Sequence, residues 1–318
     1  MWSKISKELW LKYCDGYSFT DCALRNEKMI YLLAEEDGIT EEQNTKMRML
    51  LLAQRNGKIE YGEVTFNESF LAVIESTDVP EQQGLVFQVI GGSVVPTGGS
   101  KRIWPVEKIN KDDISVIRKS KKIDGYAWAV GRRRGVFKRI NTDDWISIDN
   151  GLKESSASPK ARDIGFLGID GFNSKDIYAV GGKGDIWHYD GDLWTQCGFP
   201  TNDKLTAVCC AKDDFVYVAA NRKLWKGRLN QWESVHDLDL AENIDDLCWF
   251  DNKLWGCGQY DFFCWDGISL DTSISIQGSP ASLMGSMACS EHFMLVACHK
   301  SAWIYDGQQW VNIVPESM

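Results

Sequence analysis

The chain has 318 residues, 44% of them hydrophobic, enough to bury a large core. Its formal net charge of −10 argues against general nucleic-acid binding, which relies on phosphate neutralisation by a basic surface. No apolar run approaches the ~20 residues of a membrane span, so membrane insertion through a helix is not expected.

In chain order, the opening Met1-Trp2-Ser3-Lys4-Ile5 has no continuous apolar stretch, so a signal peptide is not expected and a cytoplasmic protein is. Residues 1–12 carry a weak helical spacing (Ile5, Leu9, Lys12) that a strand would also fit. Strands are then predicted at Met29–Ala34, Met47–Ala53 and Ile59–Val64, forming a blade over about 15–65, and at Phe70–Ile74 and Leu85–Gly92, forming another over about 66–110. From there a repeat becomes plain. Ile177-Tyr178-Ala179-Val180-Gly181-Gly182 is followed by Ile186-Trp187-His188-Tyr189-Asp190-Gly191-Asp192-Leu193-Trp194. The last copy pairs Met294-Leu295-Val296-Ala297-Cys298 with Trp303-Ile304-Tyr305-Asp306-Gly307-Gln308-Gln309-Trp310. The closing position falls at Trp145, Trp194, Trp232, Leu270 and Trp310, a period of about 40 with several short strands per unit, which is the signature of a propeller blade. Asp-Gly, the dipeptide of two-residue hairpin turns, recurs at Asp190-Gly191, Asp266-Gly267 and Asp306-Gly307. Clear units span 113–148, 163–197, 204–235, 243–276 and 282–313. With the two weaker units they predict an all-β, seven-bladed β-propeller of four-stranded blades, one domain over 1–318. The linker-like piece at 151–159 reads as a loop between blades. The 14 Trp suit packing between blades, each ring burying roughly 150–250 Å². The alternative is a set of exposed platforms for sugars or bases.

Over about 113–313 this pattern resembles the YVTN/Kelch/BNR-like group of repeat propellers. Gly181-Gly182, Tyr189 and Trp194 mimic a Kelch repeat with too short a Tyr-to-Trp step; Trp265-Asp266 is a lone echo of WD40; Asp190-Gly191 matches the sialidase Asp-box in part. The resemblance implies a fold and leaves function open, because such folds host unrelated activities.

Ten Cys lie at irregular spacings without a Cys-x-x-Cys, several within strands (Cys209, Cys210, Cys257, Cys289, Cys298), and read as buried free thiols in a reducing compartment. The four His (His188, His236, His292, His299) have no metal-ligand spacing, so no metal or other cofactor is expected. Acids at inner-strand starts, Asp112, Asp113, Asp163, Asp245 and Asp246, would line the axial mouth, yet their repetition suggests a structural role. No nucleophile–base pair or phosphate-cradling loop is evident, which favours a protein that is not an enzyme.

The register assigns charges to faces. Turns between second and third strands carry Arg132, Arg133, Arg134, Lys183, Arg222, Lys223, His299 and Lys300; the other turns carry Asp143, Asp144, Asp190, Asp192, Asp213, Asp214, Asp251, Asp266, Glu291 and Asp306. A disc basic at one mouth and acidic on the other is expected, with the acidic stretch 35–42 of the first blade breaking the rule. The basic set, together with Tyr260 and Asp261, forms the candidate partner- or ligand-binding group; Phe262 and Trp104 are further aromatics that could stand exposed. Arg118-Lys119-Ser120-Lys121-Lys122 is a dense basic run, suited to an anionic group or to a solvated hairpin. Two readings follow. One is a non-catalytic, monomeric, cytoplasmic module that binds another, basic protein, in the form of a bacterial immunity protein neutralising a basic toxin. The other is a carbohydrate-active or small-ligand propeller with its site at the axial mouth.

Overall fold

The computed structural model describes residues 2–38, 46–66, 71–101, 103–110, 115–152, 165–238, 243–276, 279–280 and 283–318. After one short helix, α1 (Lys7–Tyr13), capped by the Ser6 hydroxyl, the chain runs through seven antiparallel four-stranded meanders. Blade 1 holds β1 (Tyr17–Asn26), β2 (Met29–Glu36), β3 (Met47–Arg55) and β4 (Lys58–Phe66); blade 2 holds β5 (Ala72–Thr77), β6 (Gln83–Gln88), β7 (Ser93–Thr97) and β8 (Glu107–Lys108). Blade 3 is β9 (Ile117–Ile123), β10 (Tyr126–Gly131), β11 (Val136–Asn141) and β12 (Asp144–Ser147); blade 4 is β13 (Phe166–Asn173), β14 (Asp176–Gly181), β15 (Asp185–Tyr189) and β16 (Trp194–Gln196). Blade 5 is β17 (Leu205–Cys210), β18 (Val216–Ala220), β19 (Lys223–Arg228) and β20 (Gln231–Asp237); blade 6 is β21 (Ile244–Phe250), β22 (Lys253–Gly258), β23 (Phe262–Trp265) and β24 (Leu270–Asp271). A small ladder, β25 (Ser275–Ile276) with β26 (Ser279–Pro280), precedes blade 7: β27 (Ser286–Cys289), β28 (Met294–Ala297), β29 (Ala302–Tyr305) and β30 (Trp310–Val314). The first strand of each blade packs against the first strands of its neighbours, so these seven line the axis. The architecture is the seven-bladed propeller that the repeat predicts.

Local chemistry explains the repeat. In the turns at Asp190, Asp266 and Asp306 the carboxylate accepts the backbone N–H groups two and three residues on, at 2.7–3.0 Å, while the next Gly takes a positive φ. The glycine closing a second strand has a different reason. A Cβ on Gly181 would lie 2.1 Å from the Gly165 carbonyl oxygen, and one on Gly131 1.8 Å from that of Val116, because the chain entering the inner strand crosses at that point. None of the 14 Trp is exposed. Aromatic contacts cross successive seams: Phe87–Trp145, Trp128–Tyr189, Tyr178–Trp232, Tyr217–Trp249 and Trp255–Tyr305. Trp104 and Phe262 are buried too, Trp104 donating from Nε1 to the Gly98 carbonyl at 2.7 Å, so both serve core packing and not an exposed surface.

The ring closes without exchanging a strand between its ends. The Phe19 N–H donates to the His299 carbonyl (2.8 Å), Ile5 N–H to the Ile313 carbonyl (2.9 Å), and Trp10 Nε1 to the Pro315 carbonyl (2.8 Å). Trp2, Ile5, Tyr13 and Tyr17 join one apolar cluster with Phe293, Leu295, Ile304 and Val314 of blade 7. The ambiguous 1–12 region is therefore a helix-bearing clasp. A disulfide joins Cys248 of blade 6 to Cys289 of blade 7; the other eight Cys are free, so the all-thiol expectation fails for this pair.

Candidate functional site

Three places on a propeller can meet a partner or ligand: the axial channel and its two rims. The channel is filled by charge. Alternation along β9 turns Lys119 and Lys121 toward the axis, and Asp21, Glu75, Asp170 and Asp246 arrive from blades 1, 2, 4 and 6. Lys119 Nζ lies 3.1 Å from Asp246 Oδ1, a bond that spans the axis. Each aspartate also ties its blade to the next one: Asp21 Oδ2 accepts from Ile74 N (2.8 Å), Asp170 Oδ2 from Cys210 N (2.9 Å) and Asp246 Oδ2 from Met287 N (3.0 Å). Burial pushes the Asp21, Glu75 and Asp170 carboxyls above their ordinary values, with Lys119 or Lys121 partly opposing it. Lys121 is in turn raised, foremost by Asp170, against its own burial. What space remains is about 100 Å³, below the roughly 300–1,000 Å³ of small-molecule pockets. Among the described residues no group of three or more His, Cys, Asp or Glu could hold a metal ion. The acids of the axis thus serve the ring, and the basic run of β9 is divided: Lys119 and Lys121 plug the channel while Lys122 Nζ lies 3.6 Å from Asp78. Of the acids expected at strand starts, Asp245 is exposed, Asp246 is buried, and Asp112, Asp113 and Asp163 lie outside the described residues.

The rim formed by the turns between second and third strands carries the candidate basic set. Arg134 forks onto Asp185 of blade 4 (Nε–Oδ2 2.7 Å, Nη2–Oδ1 3.0 Å) over the face of Trp187, whose Nε1 donates to the same carboxylate. This is a blade 3–blade 4 clamp. Lys300 Nζ bonds Asp37 and the Tyr17 carbonyl, clamping blade 7 to blade 1, and Lys223 Nζ lies 3.3 Å from Asp237. Arg133, Lys183, Arg222, His299 and Tyr260 are exposed, Arg132 and Asp261 half-buried. The set shares one edge of the ring, and its charge is partly neutralised by Asp37, Asp185 and Asp237. In blade 1, residues 39–42 of the acidic stretch lie outside the described residues.

The opposite rim is built by the turns between first and second strands, near the axis, and between third and fourth strands, at the periphery. Inner turns are laced together: Asp78 N to the Gly125 carbonyl (2.7 Å), Ser174 N to Asp124 Oδ2 (2.6 Å), Ser290 Oγ to Glu27 Oε2 (3.1 Å) and Lys212 Nζ to Glu291 Oε1 (3.0 Å). Peripheral turns lean on the preceding blade: Asn150 Nδ2 donates to the Asp192 carbonyl (2.9 Å) and Gly198 N to Asn230 Oδ1 (2.7 Å). Asp190, Asp192, Asp214, Asp251 and Asp266 are exposed here. Backbone donors hold Asp190 and Asp266 below the usual carboxylate range, from Leu193 and Ser269 foremost, so they stay ionised.

Sequence reasoning missed two arrangements. Asp21 and Asp170 were not singled out, although an acid inside an apolar inner strand is itself a signal, since a buried carboxylate needs partners. The second is the Arg139–Glu107 pair, both fully buried between blades 3 and 2, bonded at 2.6 and 2.9 Å.

No family model matches the sequence. Over 192 residues the chain is 34% identical to the Immune protein Tsi7 of Pseudomonas aeruginosa, a match covering 60% of this chain and 62% of that protein; the chain thus spans less than two thirds of the curated relative's length. Among solved structures, YCF48 from Cyanidioschyzon merolae superimposes with a TM-score of 0.60 at 14% identity, covering 95% of this chain and 97% of that one. The C-terminal WD40 domain of Sif2 gives 0.56 at 11% identity, covering 93% and 85%. At such identities the structural likenesses speak for the propeller fold alone. No helix among the described residues is long and apolar enough to cross a membrane.

Proposed function

We propose that this chain is a non-catalytic, protein-binding propeller that acts as an immunity protein, binding a toxin and neutralising it. The observation that carries the reading is the 34% identity to Immune protein Tsi7 over 192 residues. The physical features agree. A ring cross-tied at its axis and seams is a rigid scaffold for turns that differ from blade to blade, and binding surfaces are built in this way. The net charge of −10 favours a basic toxin and speeds its capture at low salt. The reading takes the protein as a cytoplasmic monomer; eight free thiols suit that compartment, and Cys248–Cys289 is the pair whose state would report it.

A cell that keeps a toxin without its antidote dies, so the two genes must be inherited together and the toxin is sought in the adjacent reading frame. Production of that adjacent protein alone should arrest growth, and co-production of this chain should restore it. The purified pair should form a one-to-one complex whose association slows with added salt. Persistent growth arrest on co-production, with no complex at either salt concentration, would sink the reading.

A further inference from the structure

The turns joining third to fourth strands in three consecutive blades each hold an aliphatic side chain out to solvent: Leu193 in blade 4 (40% exposed), Leu229 in blade 5 (47%) and Ile268 in blade 6 (89%). Phe215, 41% exposed, adds an aromatic from the inner turn of blade 5 on the same edge. Nothing in the turn chemistry asks for apolar residues there. In blade 7 the corresponding positions are Gln308 and Gln309, with the same aspartate-capped turn. The backbone that carries these side chains is fixed by hydrogen bonds. The Asp190 carboxylate accepts the Leu193 N–H at 2.9 Å, and the Asp266 carboxylate accepts the Ile268 N–H at 2.8 Å. The Leu229 N–H reaches Tyr178 of blade 4 at 3.4 Å, and the Leu229 carbonyl accepts from Trp232 Nε1 at 2.7 Å. The turns of blades 4 and 5 lean on the blade before them, that of blade 6 is capped by Asp266, and the three residues follow one another along one edge of the ring.

We propose that this arc is the surface that seats the toxin, and that the toxin presents a basic, partly apolar face to it; the proposal rests on the immunity reading. The occupant's chemistry follows from what surrounds the arc. Asp190, Asp192, Asp214 and Asp266 are exposed among the aliphatic side chains. The cations near the arc are mostly paired: Lys212 with Glu291, Lys226 with Asp213 at 3.3 Å and over the Phe215 ring at 3.9 Å, and Arg228 with Asp176, while Lys175 packs beside Gly191 and Lys253 acts on Asp266. Aliphatic and aromatic anchors inside a charged border are the usual division of labour at an interface, the anchors fixing dissociation and the border setting association and its salt dependence. The opposite rim offers less to a basic toxin, because it carries Arg133, Lys183 and Arg222 at its surface.

The test uses the full chain and the inactivated product of the adjacent reading frame. Ile268→Lys and Leu229→Lys, both at solvent-exposed positions, should leave the melting temperature unchanged and weaken binding by about tenfold or more, mainly through faster dissociation. Asp190→Asn with Asp192→Asn should slow association and flatten its salt dependence. Arg133→Ala, Lys183→Ala and Arg222→Ala on the other rim should bind as the wild type does. Wild-type affinity in the two lysine variants, or loss of binding in the other-rim variants, would overturn this surface while leaving the immunity reading intact. Failure of the wild-type chain to bind would overturn both.

Discussion

Arg139 and Glu107 show how much one pair can carry in a fold otherwise sealed by aromatic rings. Arg139 sends Nε and Nη2 to the two Glu107 oxygens, Nη2 also to Gln83 Oε1 (3.1 Å) and Nη1 to the Val79 carbonyl (2.8 Å). Trp145 Nε1 donates to Glu107 Oε2 at 2.8 Å. Five strong bonds thus knit blade 2 to blade 3 where no water reaches. Removing one member strands a buried charge, so Arg139→Met should cost about 3–5 kcal/mol in urea unfolding, and adding Glu107→Met should restore part of it. A loss below about 1 kcal/mol, the range of exposed pairs, would show that water enters the seam.

At the scale of the element, the second strands of blades 3, 4 and 6 end in a glycine where the entering chain crosses them (Gly131, Gly181, Gly258), and this crossing decides that residue. Gly181→Ala would drive a methyl group into the Gly165 carbonyl, backbone against backbone, and should cost about 1–3 kcal/mol. Gly198→Ala, whose new Cβ would meet only Asn230 Oδ1 at 3.6 Å, is the control and should be near neutral. Equal stability of the two variants would remove the steric explanation. That crossing in blades 3, 4 and 6, with the Asp-Gly turn in blades 4, 6 and 7, helped make the repeat legible: a steric rule and a turn rule recur at fixed offsets. Blade 2 was fainter because residues 98–106 join its third and fourth strands in place of an Asp-Gly turn, and its seam relies on Arg139 and Glu107 beside the Phe87–Trp145 contact. The basic rim was legible as residues but not as chemistry, since the partners of Arg134 and Lys300 come from adjacent blades, Asp185 51 residues along the chain and Asp37 263 residues away. The Cys248–Cys289 pair was hidden for the same reason, its members sitting 41 residues apart on neighbouring inner strands.

At the scale of the whole molecule, the axis is where all blades meet, and its charges couple ring stability to pH. Asp170 foremost, then Asp246 and Glu75, hold the proton on Lys121 against the pull of burial, raising it above its ordinary 10.5. A lysine whose folded-state value is raised keeps its proton longer in the folded chain than in the unfolded one. Its stabilising contribution is therefore complete below 10.5 and is lost as pH climbs through and beyond that value. The buried carboxyls run in the opposite sense to ordinary ones. Asp21, Glu75 and Asp170 are raised by desolvation, so they bind protons more readily when folded, and mild acid strengthens the ring at these positions instead of loosening it. Lys121→Met should lower the melting temperature at neutral pH, because Asp170 and Glu75 lose their cation. The variant should also show a shallower decline than the wild type as the pH is taken past 10.5, and it should recover stability on acidification as Asp170 and Glu75 protonate. Parallel melting curves across the alkaline range would mean that the ring is held by its seams alone and that the charges at its centre are idle.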